Sequence, residues 1–308
     1  MSAIALGIDL GGTKIEIIAL DENGGECLRR RVPTPRGSYE DTLATIRDLV
    51  AGAESELGVT GTLGIGHPGA ISPATGVIKN SNSVWLNGKP LDRDLQALLE
   101  RPIAFENDAN CLGLSEATDG AGAGRDVVFT VILGTGVGGA VVVHGRVVRG
   151  ANAIAGEWGH NPLQWPEDDE RPGPACYCGL SGCIETWLSG TGLAADHARR
   201  YGGELTAAEI VARSGEGDAN ALVSVERYER RLARCLASVI NALDPDIIVL
   251  GGGMSNIDRL YTSIPALWSA HVFSDAVATD LRKSLHGDSS GVRGAAWIGR
   301  DLANRNGG

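Results

Sequence analysis

The sequence predicts an α/β protein of two lobes, and three observations lead there. A strand, a glycine turn and a second strand open the chain, and the same pattern recurs in its middle, as expected of an internal duplication. Each copy is followed by alternating helical and strand segments. The length of 308 residues exceeds the usual reach of one hydrophobic core, which favours two lobes with a cleft between them.

The first pattern comprises a strand at residues 4–9, a turn at 10–14 with Gly11, Gly12, Thr13 and Lys14, and a strand at 15–20; a further turn at 21–25 leads to a third strand at 26–32. Between Ser38 and Leu57, the residues Leu43, Ile46, Leu49, Val50, Ala53 and Leu57 recur at helical spacing, with Ser38 and Asp41 placed to cap the start. A strand is expected at 62–66, then a loop at 67–89 rich in Gly, Pro, Ser and Asn, a short helix near 91–99 and a strand at 103–106. A helix through Cys111, Leu112, Leu114 and Ala117 follows. The second pattern is the strand Val127–Leu133, a turn over residues 134–139, and a strand at 140–143. Beyond a Cys-rich loop come a long helix at 220–243, a buried strand at 247–250 ending in Gly251, Gly252 and Gly253, and a last helix at 290–303. The lobes are expected at 1–118 plus 289–308 and at 119–288, the latter carrying a metal-bound loop at 160–185.

Charge narrows the function. With 27 Lys+Arg against 38 Asp+Glu, the net charge is −11, and the basic run Arg29-Arg30-Arg31 is not exceeded in length. Nucleic acid and anionic membrane are poor partners for such a surface. No apolar run is long enough to span a bilayer and no export signal is seen, so a cytoplasmic protein is expected.

The glycine turns offer consecutive backbone N–H groups to phosphate oxygens. Gly134, Gly136 and Gly139 also match a dinucleotide fingerprint, but that fingerprint must open a helix and here a strand follows. Two nucleotide-gripping hairpins, Gly11-Gly12-Thr13-Lys14 and Gly134-Thr135-Gly136 with Gly138, fit better. Asp9 reads either as a turn-capping carboxylate or as the holder of a nucleotide's hydrated Mg²⁺. Lys14 reads as a phosphate counter-charge or as a solvated surface lysine. Asp108, where a strand meets a helix, is an N-cap or a base taking a proton from a substrate hydroxyl, with Asn107 bonding a neighbouring hydroxyl.

His160, Cys176, Cys178 and Cys183 form a Cys₃His set suited to structural Zn²⁺, with a cluster of reduced, buried thiols as the bland alternative. Around it Glu157, His160 and Glu185 supply groups that could bind sugar hydroxyls, or are surface residues of the loop. The second ring nitrogen of a metal-bound His160 could donate to a sugar oxygen.

Taken together, Asp9 to Lys14, Pro68-Gly69, Asn107-Asp108, Gly134 to Gly138, Gly156-Glu-Trp-Gly-His160 and Gly173-x-x-Cys-x-Cys-Gly-x-x-Gly-Cys-x-Glu185 resemble the ROK family of sugar kinases over nearly the whole chain. The resemblance implies an actin-like ATPase fold, a duplicated ribonuclease H-like α/β architecture, often dimeric, binding ATP and a hexose. It implies Asp108 as base, Asn107, Glu157, His160 and Glu185 on sugar hydroxyls, Gly69 and Asn82 lining the pocket, and Gly251 to Gly253 as the adenosine-side turn. Within the family, the stretches 69–77, 79–88, 156–163 and 286–297 are most similar to the bacterial fructokinase type that also accepts mannose. That implies phosphoryl transfer from ATP to the 6-hydroxyl of D-fructose, with a glucokinase or N-acetylhexosamine kinase as the alternative. A non-catalytic sugar-responsive binding protein is the rival from another class; with the Asp9 strand starting at about residue 4, no helix-turn-helix is expected ahead of it. Two features depart from the family pattern. Fifteen residues separate His160 from Cys176, and their acidic run Glu167 to Glu170 could lid the pocket or be solvated. His67 reads as a sugar contact or as an incidental loop histidine.

Overall fold

The computed structural model describes residues 4–287 and 290–306. By contact it divides into two units: Met1–Ala123, Gly145–Ala155 and Asp288–Gly308 form one, Gly124–His144 and Gly156–Gly287 the other. The segment Gly145–Ala155, expected in the second lobe, joins the first unit because Arg149 binds Glu106 and the carbonyl of Asn152 accepts from Lys79 Nζ.

The first unit is built on β1 (Ala5–Leu10), β2 (Lys14–Leu20), β3 (Glu26–Pro33), α1 (Tyr39–Leu57), β4 (Thr62–His67), β5 (Ala70–Ile71), β6 (Ile78–Lys79), α2 (Leu91–Leu99), β7 (Ala104–Asn107) and α3 (Asp108–Thr118). Its sheet has the order β3-β2-β1-β4-β7, antiparallel through β1 and parallel from β1 to β7. The period of two in β2 supplies both faces: Ile15, Ile17 and Ala19 join one buried cluster, Ile18 and Leu20 another. Helix α1 ends as its sequence demands, with Ser38 accepting from Asp41 N and Gly58 at φ 66° returning its N–H to Glu54. Strand β4 runs on to His67, and the stretch expected as a loop contains the β5–β6 hairpin.

The second unit carries β8 (Val127–Leu133) and β9 (Val137–Val143); after the short β10 (Arg146–Val147) of the first unit come α4 (Glu185–Leu188), α5 (Gly190–Tyr201), α6 (Ala207–Gly215), α7 (Ala219–Leu243), β11 (Ile247–Gly251), α8 (Leu260–Trp268) and β12 (Asp280–Lys283). Strands β9, β8, β11 and β12 lie side by side, antiparallel only between β8 and β9. The order β9-β8-β11-β12 repeats β2-β1-β4-β7 with the same directions, so the duplicated turn marks a duplicated topology. Strand β9 starts at Val137, paired with Leu133, and the turn expected over 134–139 shortens to Gly134, Thr135 and Gly136.

The chain closes with α9 (Ser290–Asn306), which packs in the first unit on α3 and on the sheet. The approach is so close that a Cβ on Gly64 would collide with the carbonyl of Ala295, and one on Gly294 with that of Cys111. Only glycine permits backbone to lie on backbone in this way. Among the described residues no helix is long and apolar enough to cross a membrane.

Candidate functional site

In a parallel sheet the carboxyl ends of the strands are where ligands bind. In the first unit β1, β4 and β7 end together: Asp9 pairs with Gly66, and His67 with Asn107. Asp108 follows at once as the first residue of α3. Burial pushes the Asp9 carboxyl up to about 7, and the negative charges of Asp108 and Glu16 push the same way against Lys14 and Arg31. Two carboxylates that repel one another at a strand edge have the donor chemistry for a hydrated Mg²⁺. Gly291, in the first turn of α9, keeps that side open: a Cβ there would come within 3.7 Å of the Asp9 carboxylate.

The cap of α3 is Asn107 and not Asp108. Asn107 Oδ1 accepts from Asn110 N at 2.7 Å, while Asp108 Oδ1 accepts from the adjacent Ala109 N at 2.8 Å. The cap reading therefore moves one residue back, to the neighbour with extended backbone. With one lone pair of its carbonyl oxygen committed, Asn107 offers a ligand its Nδ2 donors and the remaining lone pair of Oδ1.

The first glycine turn is braced on its carbonyl side. Gly11 O accepts from Thr34 Oγ1, Gly12 O from Arg36 Nε and Thr13 O from Thr34 N, while Gly11 N closes the turn on Lys14 O, so the turn's offer to an anion is the N–H groups of Gly12 and Thr13. Lys14 Nζ lies 3.9 Å from Glu16, a buried carboxylate that also takes Arg29 and Arg31, so part of its charge is already committed. Ser83 is a residue that the sequence does not single out: its hydroxyl is buried, has no hydrogen-bond partner among the described residues, and lies 3.3 Å from where a Gly12 Cβ would be. Its signal in the sequence was faint, one serine in a polar loop. Asn82 beside it is exposed. Gly69, at φ 76°, is required by backbone, because a Cβ would strike the carbonyl of Lys79. His67 is a buried strand residue and not a loop histidine; burial lowers its pKa, which keeps the ring neutral.

In the second unit the turn Gly134–Thr135–Gly136 is partly filled by the protein itself. Gly134 N donates to Gly136 O, and Val137 N donates to Glu185 Oε2 at 2.9 Å. A Cβ on Gly136 would stand 2.6 Å from the same oxygen, so glycine is needed here for the carboxylate's approach. Glu185, expected on a sugar hydroxyl, thus has one oxygen on the hairpin, and the expected nest has lost one donor to it. Gly138 lies in β9 and gives its carbonyl to Trp158 Nε1, which seats the segment 156–160. Gly251 ends β11; Gly252, at φ 80°, packs on the carbonyl of Leu133; Gly253 opens a short 3₁₀ turn with open space at its Cα.

The donor atoms of His160, Cys176, Cys178 and Cys183 all lie within 4.8 Å of one another. Cys178 and Cys183 sulfurs are 3.6 Å apart, and Cys176 Sγ is 3.6 Å from His160 Nδ1. Tetrahedral zinc with sulfur at ~2.3 Å and nitrogen at ~2.0 Å demands edges of about 3.8 and 3.6 Å, so the set fits this ion. Backbone bonds hold the knuckle, Cys176 N to Leu180 O and Gly179 N to Cys176 O. The second nitrogen of His160, Nε2, faces Tyr177 Oη at 3.0 Å, and Glu157 is exposed just before the turn that carries His160.

The acidic run is solvated over Glu167, Asp168 and Asp169, while Glu170 is buried. Arg227, Arg231 and Arg234, on one face of α7, reach Asp169, Glu170 and Glu167, and Arg231 also binds Asp196 at 2.6 Å. Guanidinium groups occupy the carboxylates, which removes the run as a cation site. Sequence reading missed this because the arginines stand about 60 residues downstream, though their spacing of four and three is visible.

The profile of the ROK family matches residues 5–301. An N-acetyl-D-glucosamine kinase of Pectobacterium atrosepticum is 42% identical over 298 residues, 95% of this chain and 97% of its own. Among solved structures, a ROK hexokinase from Thermus thermophilus superposes with a TM-score of 0.87 at 32% identity, covering 98% of this chain and 99% of that one. A ROK family glucokinase from Streptomyces griseus, in complex with glucose and AMPPNP, gives 0.78 at 27% identity, over 97% and 100%.

Proposed function

We propose that this chain, which belongs to the ROK family, is an ATP-dependent kinase of N-acetylhexosamines and hexoses, with N-acetyl-D-glucosamine as its preferred substrate. The observation that carries this reading is the full-length similarity to a kinase of that sugar, joined to the carboxylate pair Asp9 and Asp108 at the end of a parallel sheet. The fructose preference implied by the sequence resemblance gives way, because the relative similar over nearly its whole length is named for the amino sugar. The nucleotide is ATP by analogy with the glucokinase that holds AMPPNP.

In the first unit, Asp108 takes the proton of the sugar's 6-hydroxyl as that oxygen bonds to the γ-phosphorus, and ADP leaves with the electrons of the broken P–O bond. Asn107 donates to a neighbouring hydroxyl; the N–H groups of Gly12 and Thr13 meet phosphate oxygens; Asp9, with the base Asp108 beside it, would hold the nucleotide's Mg²⁺, which would supply positive charge against the phosphates. In the second unit, Glu157 and Glu185, with His160 Nε2 once Tyr177 Oη releases it, are the groups for sugar hydroxyls, Gly251 to Gly253 form the adenosine-side turn, and Zn²⁺ bound by Cys176, Cys178, Cys183 and His160 would fix the loop that carries them. Such a closed donor set leaves no position for substrate on the metal.

The test is ADP release with Mg·ATP and matched concentrations of N-acetylglucosamine, N-acetylmannosamine, glucose, mannose and fructose. The highest kcat/KM should fall on N-acetylglucosamine. Preference for fructose would restore the fructokinase assignment, and absence of sugar-dependent turnover would overturn the kinase reading. A homodimer is part of the proposal, and sedimentation should return twice 32.0 kDa.

A further inference from the structure

We infer that Arg149 and Glu106 form a positioning relay that sets the backbone of Asn107 and, through it, the direction of Asp108; this rests on the proposed role of Asp108. Glu106 is 8% exposed, a buried carboxylate at the end of β7. A charge so placed must be paired and hydrogen-bonded. Its Oε1 accepts from Asn107 N at 3.1 Å and from Asn110 Nδ2 at 2.9 Å, and its Oε2 accepts from Arg149 Nε at 2.6 Å. Arg149 also donates to the Phe105 carbonyl, so its fork spans the strand just before the helix starts. The cap bond from Asn110 N to Asn107 Oδ1 closes the ring. Both the N–H and the side chain of Asn107 are thereby held, by Glu106 and Asn110, and Asp108 is the next residue.

The arginine's own position argues for positioning over stability. Its side chain is 62% exposed, and an exposed partner adds little to folding. What it does add is a fixed charge and a fixed geometry on the one oxygen of Glu106 that the α3 turn does not use. Without it, a buried carboxylate loses its counter-ion and must turn toward water, which loosens the bonds to Asn107 and Asn110.

The experiment uses the full-length protein with Arg149→Met, Arg149→Lys and Glu106→Gln. Arg149→Met should lower kcat by roughly tenfold to a hundredfold, as expected of a small misplacement of a reacting group, with KM for sugar and ATP unchanged and the melting temperature lowered by only a few degrees, the cost of the unpaired carboxylate being limited by its turn toward water. Arg149→Lys should recover most of the rate, and combining Arg149→Met with Glu106→Gln should be no worse than either alone, because both cut one path. Hydrogen exchange gives a readout independent of turnover: amide protection at residues 107–110 should fall in Arg149→Met and hold in Arg149→Lys. Wild-type kcat in Arg149→Met, a loss confined to KM, or unchanged protection would overturn the relay. A wild-type protein inactive on every sugar would instead strike the proposed function, and the exchange data would still decide the relay.

Discussion

Removing the charge of Asp9 should make the metal-free protein more stable, and only above acid pH. Its carboxyl stands at about 7 against an ordinary 3.8, raised first by burial and then by Asp108 and Glu16. A raised acid means the folded state keeps a proton that the unfolded chain gives up, so stability falls as pH rises from about 4 to 7 and is flat beyond. About three units at ~1.4 kcal/mol each set a ceiling of ~4 kcal/mol; solvent reaching this half-buried side chain reduces that to about 2 kcal/mol. Asp9→Asn keeps the shape and cannot ionise. In Mg²⁺-free buffer the variant and wild type should melt alike near pH 4, diverge through pH 7, and differ by a constant margin at pH 8, the variant melting higher. Adding Mg²⁺ at pH 8 should raise the wild type and leave Asp9→Asn where it was. A gap between the two proteins that does not change between pH 5 and 8, or an equal response to Mg²⁺, would refute the carboxylate pair as the cation site.

Three further outcomes are expected. Asp108→Ala should lose roughly 10²–10⁴ in kcat while keeping its circular dichroism spectrum, since Asn107 and not Asp108 caps α3; normal turnover would remove it as the base. Cys178→Ser should bring down zinc content and melting temperature together, measured by elemental analysis and thermal unfolding, and full zinc in the purified variant would dismiss the Cys₃His site. Arg231→Met should cost about 1–3 kcal/mol in urea unfolding, because Glu170 and Asp196, both buried carboxylates, each lose one guanidinium and keep Arg234 and Arg227; a loss below ~0.5 kcal/mol would mean that the remaining arginines carry the pairing alone.

Local periodicity carried the fold. Glycine turns, alternating strands and the Ser38-capped helix depend on neighbours in the chain, and those came out within a few residues, with β9 beginning earlier because Gly138 and Gly139 tolerate strand backbone as well as turn. The site was legible where chemistry is also local: Asp9 at a strand end and the clustered cysteines with His160. It was not legible where a side chain had a choice of partner. Glu185 reads equally as a sugar ligand or a turn ligand until Val137 N is seen 2.9 Å away, and Glu170 reads as solvent-facing like its neighbours until Arg231 and Arg234 are brought to it.

The same distinction explains why Glu106 drew no notice. A glutamate before Asn-Asp looks like an ordinary strand-end acid, and its partner Arg149 lies 43 residues on, beyond a hairpin of the other unit. Charge pairs across such distances leave no periodicity and no spacing, so only burial identifies them: a carboxylate at 8% exposure needs its donors, and all three of them converge on Glu106, two residues before the proposed base. Asp108 could be proposed from its place between strand and helix, whereas the groups proposed to orient it had to be sought from the cost of burying Glu106.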